Sequence, residues 1–133
     1  MSRILTAEEF VTLILAQIKL KADRDFVLDA TLIDQRFEDA HDWLRNREED
    51  LGIVSNFTFR RDPLYGVTAT FRDALLSLRE RRLIQPDASR RAYRLSLSQA
   101  LAEDYLAHGV LPSAVLEELV NKNFPEVLVT APV

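Results

Sequence analysis

Ala69-Thr70-Phe71-Arg72-Asp73-Ala74-Leu75-Leu76-Ser77-Leu78-Arg79-Glu80-Arg81-Arg82-Leu83-Ile84 runs through Gln85 into Pro86-Asp87-Ala88-Ser89-Arg90-Arg91 and then Ala92-Tyr93-Arg94-Leu95-Ser96-Leu97. Phe71, Ala74, Leu75 and Leu78 fall at i, i+3, i+4 and i+7, the spacing of one buried helical stripe, so the spacing predicts a helix over 69–82. Leu83-Ile84 begins a strand, residues 86–89 carry turn chemistry, and the alternation in 92–97 reads as a returning strand. A helix that feeds straight into a two-strand ribbon therefore occupies the middle of the chain.

Helical rhythm continues on both sides. Thr6-Ala7-Glu8-Glu9 is a capping box, in which a hydroxyl takes the N–H three residues on and the glutamate reaches back. It opens a helix over 7–22 with Phe10, Leu13, Ile14 and Ile18 on its stripe, ended by the polar break Asp23-Arg24-Asp25. A second helix over 32–49 has Leu32, Ile33, Phe37, Ala40, Trp43 and Leu44 inside, Asp29 or Thr31 as cap, and Gly52 as its stop. Phe57 and Phe59 alternate with Thr58 and Arg60 as a half-buried strand, and Asp62-Pro63 and Tyr65-Gly66 are turns. Ser98 caps a helix over 99–108 that stops at Gly109, and Pro112 or Ser113 opens another over 113–122. The expectation is one domain over 1–123, mainly α with a small β-hairpin, followed by an apolar tail over 124–133.

The segment 68–97 resembles the recognition helix and wing of winged helix-turn-helix regulators, most closely the GntR-type pattern. In that pattern Thr-x-Arg opens the helix, Ala-Leu and a later Leu pack inside, and Leu-Ile enters the wing; Thr70-Phe71-Arg72, Ala74-Leu75, Leu78 and Leu83-Ile84 stand in those places. The resemblance implies a winged-helix-like single domain that lays residues 68–82 in a DNA groove and places residues 85–92 in the wing. Thr68, Thr70 and Arg72 would then face DNA at the helix start, and Arg90 and Arg91 would meet phosphate from the wing. Arg82 stands where the family has Gly, which implies a strained or different helix end. The long segment after the second helix needs a strand and loop rather than a tight turn.

Charge is unevenly distributed. The 133 residues carry a formal net charge of −4, but residues 60–94 hold 9 Arg against 4 acids. Arg suits phosphate and carboxylate alike. If the strand near 57–60 pairs with the wing, Arg60, Arg61, Arg90, Arg91 and Arg94 share one edge and form a phosphate-binding patch; the same charges would also serve as edge-strand protection. Tyr93 either stacks on a base or joins the core. On the helix, Arg72 and Arg79 flank an outward face that holds Asp73, Leu76 and Glu80. These charges either pair along the helix or ring Leu76 as a protein-binding anchor.

The function expected is a non-enzymatic module that binds nucleic acid through helix 69–82 and an Arg-rich wing. The alternative is a protein–protein adapter in a larger assembly on the same fold. A dimer through flanking helices is expected, and a protein partner is the other reading of those surfaces. No cofactor, metal or catalytic residue is expected. With no cysteine there is no thiolate chemistry, and 3 scattered Gly cannot build a phosphate loop. His41 lacks metal spacing to its neighbours and reads as a surface residue. Residues 1–20 lack the apolar run of a signal peptide or membrane span, so the expected setting is cytoplasmic, without membrane contact.

Overall fold

The computed structural model describes residues 3–21, 32–57, 69–87 and 91–124, and the backbone of 27–29. In chain order the elements are β1 (Arg3–Leu5), α1 (Ala7–Lys21), β2 (Val27–Asp29), α2 (Ile33–Arg45), α3 (Glu48–Leu51), β3 (Ile53–Ser55), α4 (Ala69–Glu80), β4 (Ile84–Asp87), β5 (Ala92–Leu95), α5 (Gln99–His108) and α6 (Ser113–Asn123). The fold is mainly helical around one hydrophobic core. Among the described residues, no helix is long and apolar enough to cross a membrane.

α1 is the spine. The expected stripe of Phe10, Leu13, Ile14 and Ile18 is buried, but so are Val11, Leu15 and Ala16 on other sides. The reason is tertiary: α4, α5 and α6 all pack on α1. Thr12 is buried as well, and its hydroxyl is satisfied by donating to the Glu8 carbonyl at 2.7 Å. Half of the capping box forms, with the Glu9 N–H donating to Thr6 Oγ1 at 3.2 Å. The Glu9 carboxylate turns the other way and accepts from the Val110 N–H at 3.3 Å, which ties the start of α1 to the α5–α6 connection.

The expected 32–49 helix is two pieces. Arg47 lies over the Trp43 ring, 3.7 Å from its centroid, and donates to the Trp43 carbonyl at 2.7 Å; Asn46 donates to the Asp42 carbonyl at 3.2 Å. These side chains satisfy the last carbonyls of α2, and the chain restarts as α3. Gly52 ends α3 in the left-handed conformation, φ 67°, as its place after an apolar–polar helix pattern suggests. Gly109 does not need its freedom of φ, which is −77°. Space matters there instead: an added Cβ would sit 2.5 Å from Leu13 Cδ2, and the Leu13 side chain would have to shift.

α4 buries Phe71, Ala74, Leu75 and Leu78, the stripe read from the sequence. Its end is a Schellman turn. The Leu83 N–H donates to the Leu78 carbonyl at 2.9 Å and the Arg82 N–H to the Arg79 carbonyl at 3.0 Å. Arg82 therefore carries φ 61°, where the resemblance places Gly. A side chain in that conformation costs roughly 1–2 kcal/mol, because Cβ crowds the following carbonyl. Arg82→Gly is expected to raise stability by about 0.5–1 kcal/mol, the relief exceeding the extra unfolded-chain entropy of Gly. A higher urea midpoint at unchanged m-value checks it.

The ribbon between 83 and 97 forms. β4 and β5 are antiparallel, with Ile84 opposite Leu95 and Asp87 opposite Ala92. Pro86 is tolerated because β4 is an edge strand. From Tyr93 to Leu97 the alternation holds: Tyr93, Leu95 and Leu97 turn toward the core, Arg94 and Ser96 toward solvent. The other neighbour of β5 corrects the sequence reading. It is β2, antiparallel, with Val27 opposite Arg94, so the sheet order is β2-β5-β4. Among the described residues β5 pairs with β2 and β4, and of the strand expected over 57–60 only Phe57 is described. The strand in that region is β3, which pairs in parallel with β1 through Arg3 opposite Ile53 and Leu5 opposite Ser55. Phe57 lies beyond β3, and residues 58–60 lie outside the described residues. Phe124, assigned from sequence to the tail, is buried against Phe37, and the rest of the tail, 125–133, lies outside the described residues.

Candidate nucleic-acid interface

The residues expected at the interface divide into three groups. Thr70 and Arg72 stand exposed on the first turn of α4, and Arg79 is exposed two turns later. Arg91 is exposed at the tip of the hairpin, where it takes φ 50° and turns the chain into β5; Arg94 is exposed on the strand that follows. Arg60, Arg61, Thr68 and Arg90 lie outside the described residues.

At about 100° per residue, Arg72 and Arg79 lie on one flank of the exposed face of α4, and Asp73 and Glu80 lie on the other. Leu76 sits between them, 50% exposed. Among the described residues, Arg72, Asp73, Arg79 and Glu80 form no ion pair with one another. The two Arg therefore keep their fork geometry available for an external anion. Edge protection does not account for Arg94, because β5 is the central strand of its sheet.

One Arg of the basic segment is spoken for. Arg81, just past α4, donates to the Glu8 carboxylate and to the Tyr105 hydroxyl. Nothing in the local sequence signals this cluster. Glu8 reads as a first-turn helix residue and its partner lies 73 positions on.

His41 also departs from the sequence reading. It is 2% exposed, stacks on Phe57 with centroids 4.4 Å apart, and meets Phe10 edge-on at 5.6 Å. Burial pushes its pKa below the ordinary 6.5, the nearby Arg45 adds to this, and Glu48 and Asp42 oppose it. The folded chain thus keeps His41 neutral where the unfolded chain takes a proton. Stability is unaffected above pH 6.5 and falls as pH drops below it, by at most about 1.4 kcal/mol per pH unit. His41→Phe is expected to flatten that part of the profile. Unfolding of both proteins from pH 7 to pH 5 checks it: the wild-type minus variant stability should become more negative as pH falls.

Among the described residues, no three His, Asp or Glu side chains gather as a metal-binding group. In comparison with known proteins, no protein-family model matches this chain, and no curated protein or solved structure matches it either.

Proposed function

We propose that this chain is a winged-helix-type module that binds nucleic acid, in the manner of a transcription regulator, through the exposed face of α4 and the β4–β5 hairpin. The observation that carries this reading is the sheet order β2-β5-β4 with α4 running directly into β4. Omitting β1, α3 and β3, the chain up to the hairpin runs helix, strand, helix, helix, strand, strand, and β2 completes the sheet beside the hairpin. This order of elements supports the winged-helix reading. Phe37 on α2 packs on Phe71 on α4 with centroids 5.2 Å apart, which supports α4 from behind despite the long connection between the two helices.

Arg72, Arg79, Arg91 and Arg94 supply charge toward phosphate, and Thr70 a hydroxyl. Binding of this kind is governed by counterion release, so it is strongest at low salt and tolerant of sequence. The test is fluorescence anisotropy of the full chain against a panel of labelled duplexes at about 50 mM salt, where phosphate contacts are strongest. Binding to all of them, with a steep loss on added salt, is expected. No binding to any duplex overturns the reading.

Leu76 favours a second reading, a protein–protein adapter on the same scaffold. A half-exposed Leu ringed by Arg and acids is the composition of an interface anchor with a polar rim. A stoichiometric protein partner, recovered with the wild type and lost with Leu76→Asp, together with absence of duplex binding, would favour it over the first.

A further inference from the structure

We infer that the cleft where the start of α1 meets the ends of α4 and α5 is a binding site for a small zwitterion, an α-amino acid with an apolar side chain. The cleft holds about 280 Å³ and is open to solvent. That is at the low end of the roughly 300–1,000 Å³ of sites for drug-sized ligands, a size that suits a small metabolite.

Its chemistry is two-signed. Arg81 provides the anion arm. Its guanidinium engages Glu8 and Tyr105, but it carries five N–H donors, and its side chain is 36% exposed. Glu8 and Glu9 provide the cation arm. Each uses one oxygen, Glu8 toward Arg81 and Glu9 toward the Val110 N–H, and each keeps acceptor capacity for an ammonium. Two carboxylates beside one guanidinium leave the lining one negative charge in excess when His108 is neutral. A carboxylate ligand alone would deepen that imbalance, and an amine alone would leave the remaining donors of Arg81 unused. A zwitterion answers both arms.

The floor selects the rest of the ligand. Leu13 and Gly109 both line the cleft, so close together that a Cβ on Gly109 would meet the Leu13 side chain. Thr6, Thr12 and His108 also line the cleft, but most of its exposed wall is apolar, so an aliphatic or aromatic side chain fits it better than a polar one. The site is separate from the exposed face of α4 and does not depend on the nucleic-acid reading.

Calorimetry and thermal unfolding of the full chain with L-leucine, L-methionine and L-phenylalanine test it, at up to about 10 mM, enough to saturate a Kd near 1 mM. Isoamylamine and isocaproate, which are leucine lacking one charged group each, serve as controls in salt-matched buffer. The expected result is saturable heat and a concentration-dependent rise in Tm for at least one amino acid, with no response to either control. Arg81→Gln and Glu9→Gln should each weaken binding at least tenfold, and Leu76→Asp, away from the cleft, should leave it unchanged. If Arg81→Gln is unfolded by circular dichroism, Glu9→Gln decides alone. No saturable response to any of the three amino acids, an equal response to either control, or full binding by a folded Glu9→Gln overturns the proposal.

Discussion

Phe37→Ala is expected to cost about 3–5 kcal/mol of stability, the range for emptying a fully buried aromatic site. Phe37 is fully buried, and its ring meets Phe71 and Phe124, each with centroids 5.2 Å away. Those three rings join α2 to α4 and to the residue that ends α6. Truncation loses the transfer energy of the ring and leaves a cavity that rigid helices on each side cannot close. Small domains hold about 5–15 kcal/mol in total, so this one change removes about a fifth or more of it. Urea unfolding should show a lower midpoint at unchanged m-value, with Phe37→Leu much milder because it retains most of the volume. A loss below about 1 kcal/mol would mean that the three rings do not form a packed unit, since surface-like substitutions fall in that range.

The second large effect concerns binding. Replacing Arg72, Arg79 and Arg91 together by Ala is expected to reduce the slope of log affinity against log salt by about 3, roughly one for each phosphate that is no longer neutralised. At about 0.1 M salt the affinity for every duplex should fall on the order of a hundredfold, with no change in preference among sequences. All three side chains are exposed, so stability should stay within about 0.5 kcal/mol and the loss is not one of folding. Arg81→Ala is the control. Its guanidinium is turned toward Glu8 and Tyr105, and its removal should leave the slope unchanged. An unchanged slope in the triple variant, or an equal change in Arg81→Ala, would remove α4 and the hairpin from the interface.

Arg81 and Arg72 illustrate how far a linear reading reaches. Both are Arg in one basic segment, and nothing within four residues of either separates them. Arg72 keeps its guanidinium exposed, whereas Arg81 meets a carboxylate from the other end of the domain. His41 is similar. Its own helix places it beside Asp42, as a surface residue would be, yet Phe10 and Phe57 close over it from two other parts of the chain. By contrast, the place where α4 ends is legible: the resemblance puts Gly at position 82 and so implies a different or strained end there, and Arg82 carries φ 61°.

By itself the sequence determined the features whose causes lie within about one helical turn or across a short hairpin. These are the buried stripe of α4, the caps at Thr6 and Ser98, the stop at Gly52 and the β4–β5 ribbon. Each rests on side chains or backbone groups that meet at low sequence separation, so composition and spacing alone specify it. Tertiary structure alone decided the parallel pairing of β1 with β3, the partnership of β2 with β5, the burial of α1 on all sides and the Arg81–Glu8–Tyr105 cleft. Three-residue strands are too short to carry a period. Their partners, like those of Arg81, lie tens of residues away, where only packing of the whole chain selects which groups meet.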